Sequence, residues 1–198
     1  FEQHRPNLLS QRRQRHGISL FAANAMAQAP ATGRDAENTL VLELKSGKVI
    51  IELYPQKAPQ HVARIKELAR EGFYDNIVFH RVIDGFMAQT GDPTGTGMGG
   101  STKPNLKAEF NDIKHTAGIV SMARSADPNS ANSQFFIMFG NAPSLDGQYT
   151  AFGKVIEGME FINTIKKGDS SKNGEVTMPD RIVSMKVEAD LNKAAQKK

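Results

Sequence analysis

The chain has 198 residues, 39% of them hydrophobic, which suits one domain with enough apolar side chains to fill a core. Its formal charge is +4, but five of the 25 Lys+Arg and three of the 21 Asp+Glu lie in residues 1–37, leaving 20 against 18 in the remainder. That near-neutral remainder excludes the basic stripe on which nucleic-acid binding depends, and the absence of cysteine excludes disulfides, thiolate catalysis and the common zinc frameworks.

Residues 1–37 place Arg12, Arg13 and Arg15 ahead of a short apolar run from Ile18 to Ala27. Charge, apolar run and the small residues of Ala25-Met26-Ala27 follow the order of a secretory signal, with cleavage expected after Ala27 and a periplasmic address. An alanine-rich disordered tail or an Arg-rich mitochondrial presequence would share this composition, and the cytoplasm is the alternative location. No uncharged apolar stretch approaches the roughly 18–20 residues of a bilayer-crossing helix.

From Thr39 the pattern turns to alternation, with Leu40, Leu42 and Leu44 on one parity. Ser46-Gly47-Lys48 supplies a turn, so residues 39–54 read as a hairpin. Pro59 can open a helix that carries Val62, Ile65 and Leu68 on one face and stops at Gly72. Short strands are predicted at 77–83, 86–91, 118–123, 133–138, 150–156 and 181–189, and a second helix at 158–167 with Met159, Ile162 and Ile165 inward. Residues 191–198 read as a polar tail. Helices do not alternate with the strands, so the expected fold is mainly β: a closed eight-stranded antiparallel barrel capped by two α-helices.

Gly95-x-Gly97-x-x-Gly100 is a literal dinucleotide fingerprint, but Pro104 and a non-periodic polar stretch follow where a helix N-terminus would have to meet the pyrophosphate. It reads as a glycine-rich loop. His80 alternates with Val78 and Val82 and is expected to be a hydrogen-bonded core residue. No second ligand lies at metal spacing and no serine sits in a nucleophile elbow, so neither a metal nor hydrolytic chemistry is expected. What remains is Arg81 on an apolar strand, with Phe86, Met87, Gln89, Gln134 and Phe136 following; on composition alone these would be core aromatics and a surface arginine.

FHRVIDGFMAQTGD at 79–92, GIVSMARSADPNSANSQFFIMF at 118–139 and LDGQYTAFGKVIEGME at 145–160 resemble the signature blocks of cyclophilin-type peptidyl-prolyl cis/trans isomerases, in particular bacterial members of that family. The resemblance runs from about Asn38 to Asp190 and implies an isomerase domain over 38–190 without a cofactor. It places the family's catalytic arginine on Arg81, with Gln89 beside it. A proline pocket would be formed by Phe86, Met87, Phe136 and Leu145, and the flanking peptide would meet Ala123, Arg124, Ser125, Gln134 and Tyr149.

Implied partners are proline-containing peptides and unfolded or newly exported proteins, met by a monomer. Ser144 stands where animal cyclophilins carry a tryptophan, which implies weak cyclosporin binding. Tyr149 replaces a histidine found in many relatives, and Arg124-Ser125 replaces Asn-Ala. Two rival functions are compatible with parts of the sequence: a non-catalytic chaperone module that holds proline-containing segments, and a nucleotide-binding enzyme built on the glycine loop.

Overall fold

The computed structural model describes residues 33–198, so the signal-like reading of residues 1–27 lies outside the described residues. Thr39–Leu44 (β1) and Gly47–Leu53 (β2) form the expected hairpin, with Gly47 close against the Phe161 ring. The first helix, Pro59–Arg70 (α1), buries His61, Val62, Ile65, Leu68 and Ala69 along one stripe. Its N-cap Ala58 offers no side-chain acceptor. The Glu109 carboxylate does that work from 48 residues away, accepting from the Gln60 and His61 amides at 3.2 and 2.9 Å. Gly72 (φ +71°) ends the helix, with Phe73 N donating to Leu68 O at 3.0 Å.

Arg81–Ile83 (β3), Met87–Thr90 (β4), Ile119–Met122 (β5), Phe135–Met138 (β6), Ala151–Glu157 (β7) and Ile182–Val187 (β8) complete one antiparallel sheet in the order β3-β4-β6-β5-β7-β2-β1-β8. The sheet has two end strands, β3 and β8, which share no ladder, whereas a closed barrel was expected. Short hydrogen bonds span the gap instead: Asn76 N to Ile182 O, Phe79 N to Asp180 O and Ile182 N to Ile77 O. The outer edge of β3 is covered by residues 168–176, whose backbone bonds to His80 and Val82.

The second helix is shorter than expected, Met159–Asn163 (α2), and the polar stretch from 191 continues a third helix, Glu188–Gln196 (α3), that begins where a strand was expected to end. Ion pairs hold it in place. Arg34 meets Glu188 at 2.6 Å and Glu157 at 3.1 Å, while Arg70 meets Asp190 at 3.0 Å and Glu37 at 2.7 Å. The Arg70 and Lys66 side chains hold the Glu37 carboxyl well down, to about 2.

The core fills the inside of the curled sheet with Leu40, Leu42, Ile51, Phe79, Phe135 and Phe152, closed by α1 and by Tyr74, whose hydroxyl donates to Ser133 O at 2.8 Å. A second, smaller apolar cluster lies on the other face of β4, β5 and β6, around Met87, Ile119, Phe136, Met138 and Ala151. Because side chains alternate along a strand, the run FFIM sends Phe135 and Ile137 to the core and Phe136 and Met138 to the outer cluster. Both faces are buried there, which is why the segment is apolar throughout.

Candidate active site

Strand register builds the site. Arg81 pairs with Gln89, Gln89 with Phe136 and Phe136 with Ser121, so one row across β3, β4, β6 and β5 carries a guanidinium, an amide, an aromatic ring and a hydroxyl on the outer face. The next row is Ile83, Met87 and Met138. Over these rows lies a cavity of about 880 Å³ lined by Arg81, Phe86, Met87, Gln89, Ala123, Arg124, Phe136, Leu145 and Tyr149. An adjoining cavity of about 530 Å³ shares Gln89, Ala123 and Arg124 and adds Ser125 and Gln134. All eleven residues singled out from the sequence thus border one continuous groove.

Arg81 is held firmly. Its Nε donates to Asn173 O at 3.0 Å, one terminal nitrogen to Asn173 Oδ1 at 3.1 Å and the other to Gln89 Oε1 at 3.1 Å. Three of the five guanidinium N–H groups are spent on these bonds and two are left uncommitted in a side chain that lines the groove. Burial lowers its pKa from the ordinary value, and the neighbouring Tyr149 opposes that shift. Arginine stays protonated all the same.

The opposite rim is shaped by Arg124, whose side chain lies 4.5 Å over the Tyr149 ring and donates to Gln148 O at 2.7 Å and Ser125 O at 2.9 Å. Tyr149 in turn meets Phe136 edge to face at 5.8 Å. The rim position Ser144 is exposed in the short 3-10 turn Pro143–Leu145 that delivers Leu145 to the pocket.

Beneath Phe136 lies a polar group that sequence reading did not find. His115 stacks on the Phe136 ring at 6.2 Å, contacts Ser121 Oγ through Nε2 at 2.8 Å and Asp146 through Nδ1 at 3.2 Å. Ser, His and Asp in this order have the connectivity of a hydrolytic triad. Ser121 is 0% exposed, however, so no substrate reaches its oxygen, and the group serves instead to anchor the turn bearing Leu145. Among the described residues no group of three or more His, Asp or Glu is placed to hold a metal ion.

Three further departures from expectation concern the groove. His80 is not a hydrogen-bonded core residue: Phe79 and Val82, of opposite parity, take the core positions, so the chain turns between them and His80 faces Gly97, its Nδ1 shielded and without a partner. Asn173, the main support of Arg81, went unread although Asn173-Gly174 is a turn signal; Asn173 is left-handed at φ +55°. The glycine-rich loop presents no phosphate cradle, because the amides of Thr94, Gly97 and Gly99 all donate to the Asp92 carboxylate.

Burial also sets a pH dependence. His61 and His115 are 0% and 1% exposed, and burial lowers both imidazole pKa values, against bonds to Glu109 and Asp146 that raise them. In the unfolded chain these groups take a proton near pH 6.5, while the native state takes it only at lower pH, so the unfolded state binds more protons in between. Stability is therefore full above that value and lost below it. The melting midpoint should be flat above about pH 7 and fall progressively as the pH drops below about 6.5, as measured by thermal denaturation in a buffer series.

Residues 39–187 match the profile of the family described as cyclophilin type peptidyl-prolyl cis-trans isomerase/CLD. A probable peptidyl-prolyl cis-trans isomerase of Brucella suis is 52% identical over 183 residues, covering 87% of this chain and 93% of the relative. A peptidyl-prolyl cis-trans isomerase-like 1 of Gibberella zeae is 46% identical over 144 residues, covering 71% and 86%. Among solved structures, a cyclophilin from Hirschia baltica superposes with a TM-score of 0.71 at 30% identity, covering 79% of this chain and 76% of that one. A cyclophilin type peptidyl-prolyl cis-trans isomerase from Cryptosporidium parvum, crystallised in the presence of the dipeptide Ala-Pro, superposes with a TM-score of 0.70 at 34% identity, covering 75% and 98%.

Proposed function

The chain belongs to the cyclophilin-type peptidyl-prolyl cis-trans isomerase family, and from that premise we infer that Arg81 is the group that lowers the barrier to Xaa-Pro rotation. The protein is an isomerase of Xaa-Pro bonds, with proline-containing peptides as its ligands. Uncatalysed, that rotation takes tens to hundreds of seconds because it must break amide resonance, at a barrier of about 18–20 kcal/mol. It makes and cuts no covalent bond, so it calls for no cofactor.

At the twisted transition state the prolyl nitrogen is out of conjugation and its lone pair can accept a hydrogen bond that the planar amide refuses. The observation that carries the reading is the guanidinium pinned in the groove beside the apolar side chains of Phe86, Met87, Phe136 and Leu145, with two N–H groups uncommitted. Phe86, Met87, Phe136 and Leu145 form the slot for the proline ring. Gln89, Gln134 and the backbone around Ala123, Arg124 and Ser125 hold the flanking peptide, with Tyr149 at the rim. One side of the bond is then fixed while the other turns. Exchange NMR on a short Xaa-Pro peptide tests this: catalysis by the wild type and its loss in Arg81→Ala support it, and equal rates refute it.

The physiological clients in this reading are unfolded or newly exported proteins met in the periplasm by a monomer, a proposal that rests on the basic, apolar and small-residue order of residues 12–27. The hydrogen bonds across the gap between β3 and β8 support reading the curled sheet as a barrel closed at that seam. Ser144 leaves the rim without the indole that grips cyclosporin in animal relatives. Weak inhibition is expected, and an inhibition titration with a nanomolar midpoint would contradict it.

A further inference from the structure

Asp92 is 0% exposed, and its carboxylate is spent on the loop that follows it. It accepts from the amides of Thr94, Gly97 and Gly99 at 2.8, 2.7 and 3.0 Å and from the Thr94 hydroxyl at 2.8 Å. The fit is close: a Cβ on Gly99 would stand 2.2 Å from Asp92 Oδ1. With their amides gathered around the carboxylate, Gly97 and Gly99 turn their carbonyls the other way, where both accept from Gln134 Nε2 at 3.0 and 2.8 Å.

A side-chain amide has one donating and one accepting end. Gln134 commits its donating end to the loop, so its Oε1 faces Gln89, whose Nε2 donates to it at 2.9 Å. Gln89 is left with Oε1 toward Arg81 and accepts from the guanidinium at 3.1 Å. The direction of every bond in this relay is fixed at both ends, by loop carbonyls that can only accept and by a guanidinium that can only donate. Were the loop released, Gln134 would lose the two carbonyls that hold it, its bond from Gln89 would no longer fix where Gln89 Oε1 stands, and the guanidinium that donates to that oxygen would be held less firmly.

We propose that Asp92, which lines neither cavity of the groove, is a positioning residue for Arg81 and acts through the glycine-rich loop, Gln134 and Gln89. The proposal rests on the reading of Arg81 as the transition-state donor. It explains why a carboxylate is buried at this point and why the loop around it is built of glycine. It also gives the loop a task in catalysis that a nucleotide-binding reading would have missed.

The test uses the full chain with Asp92→Asn and the milder Thr94→Val, each alone and combined with Gln89→Ala, and with Arg81→Ala in parallel. Asp92→Asn keeps the shape of the side chain but sets an N–H group against the loop amides. It should lower kcat about tenfold with KM changed less than about twofold, and should shift the Arg81 Nε–H resonance. Thr94→Val should do the same to a smaller extent, and it carries the test by itself if Asp92→Asn does not fold. In the Gln89→Ala background neither change should lower kcat further, because the relay is already cut. Losses that multiply in that background, or wild-type kcat and an unshifted Arg81 resonance in both variants, overturn the proposal. Full activity in Arg81→Ala would overturn the donor reading itself, a result separable from the others.

Discussion

Replacing Arg81 with alanine should cut kcat/KM for Xaa-Pro exchange by about 10²–10³-fold, the loss seen when a single preorganised transition-state donor is removed, while the peptide dissociation constant moves less than about threefold. The split follows from the geometry. The planar amide offers the guanidinium no lone pair on nitrogen, so the bond exists only in the twisted form and contributes to rate without contributing to ground-state binding. The apolar slot of Phe86, Met87, Phe136 and Leu145 is left in place, and affinity stays with it. Arg81→Lys should restore little, because one ammonium cannot span Gln89 Oε1 and both oxygens of Asn173 and still face the substrate. Exchange NMR supplies the rate and a binding titration the affinity; a comparable loss in both would mean that Arg81 only grips the peptide.

An acceleration of about a millionfold requires roughly 8 kcal/mol, and a donor of this kind supplies ~3–4 kcal/mol of it. The remainder must come from holding one side of the bond while the other rotates, and from removing water, which solvates the planar amide dipole best. The structure provides for both, since Met87, Gln89 and Phe136 lie on adjacent strands at fixed register and Gln134, just ahead of the second of these strands, is bonded to Gln89.

What could be read from the sequence was what rests on local chemistry or on long ordered blocks. The hairpin at 39–54 and the helix from Pro59 announce themselves through period and turn residues, and the three blocks around Arg81, Phe136 and Leu145 carry the groove. The misses share a cause. Asn173 supports Arg81 partly through a backbone carbonyl 92 residues distant, which no side-chain pattern encodes. The helix Glu188–Gln196 has little apolar stripe, and its fastening by Arg34 and Arg70 comes from elements far away in the chain. The burial of Asp92 has no signal in the sequence, because it is created by the loop that folds over it. His80 was misplaced because Phe79 and Val82, of opposite parity, both take core positions, so the alternation of Val78, His80 and Val82 does not persist in the fold.

Phe135 and Phe136 make the sharpest test of the two-faced sheet, because neighbours in sequence should respond to alanine in opposite ways. Phe135 is 1% exposed and meets Tyr74 and Phe152 edge to face at 5.4 and 6.3 Å in the main core. Its removal should cost ~3–5 kcal/mol of stability by leaving a cavity that cannot collapse. Folded Phe135→Ala should nevertheless keep nearly its full affinity for peptide, as the ring touches nothing in the groove. Phe136→Ala should cost less, ~2–3 kcal/mol, because the space it vacates opens onto the groove and can fill with water. Its peptide affinity should drop at least about tenfold, since the floor of the proline slot and the edge-to-face support of Tyr149 are lost together. Denaturant unfolding and peptide titration on the two variants read both quantities, and the same ranking in stability and in affinity would refute the assignment of faces.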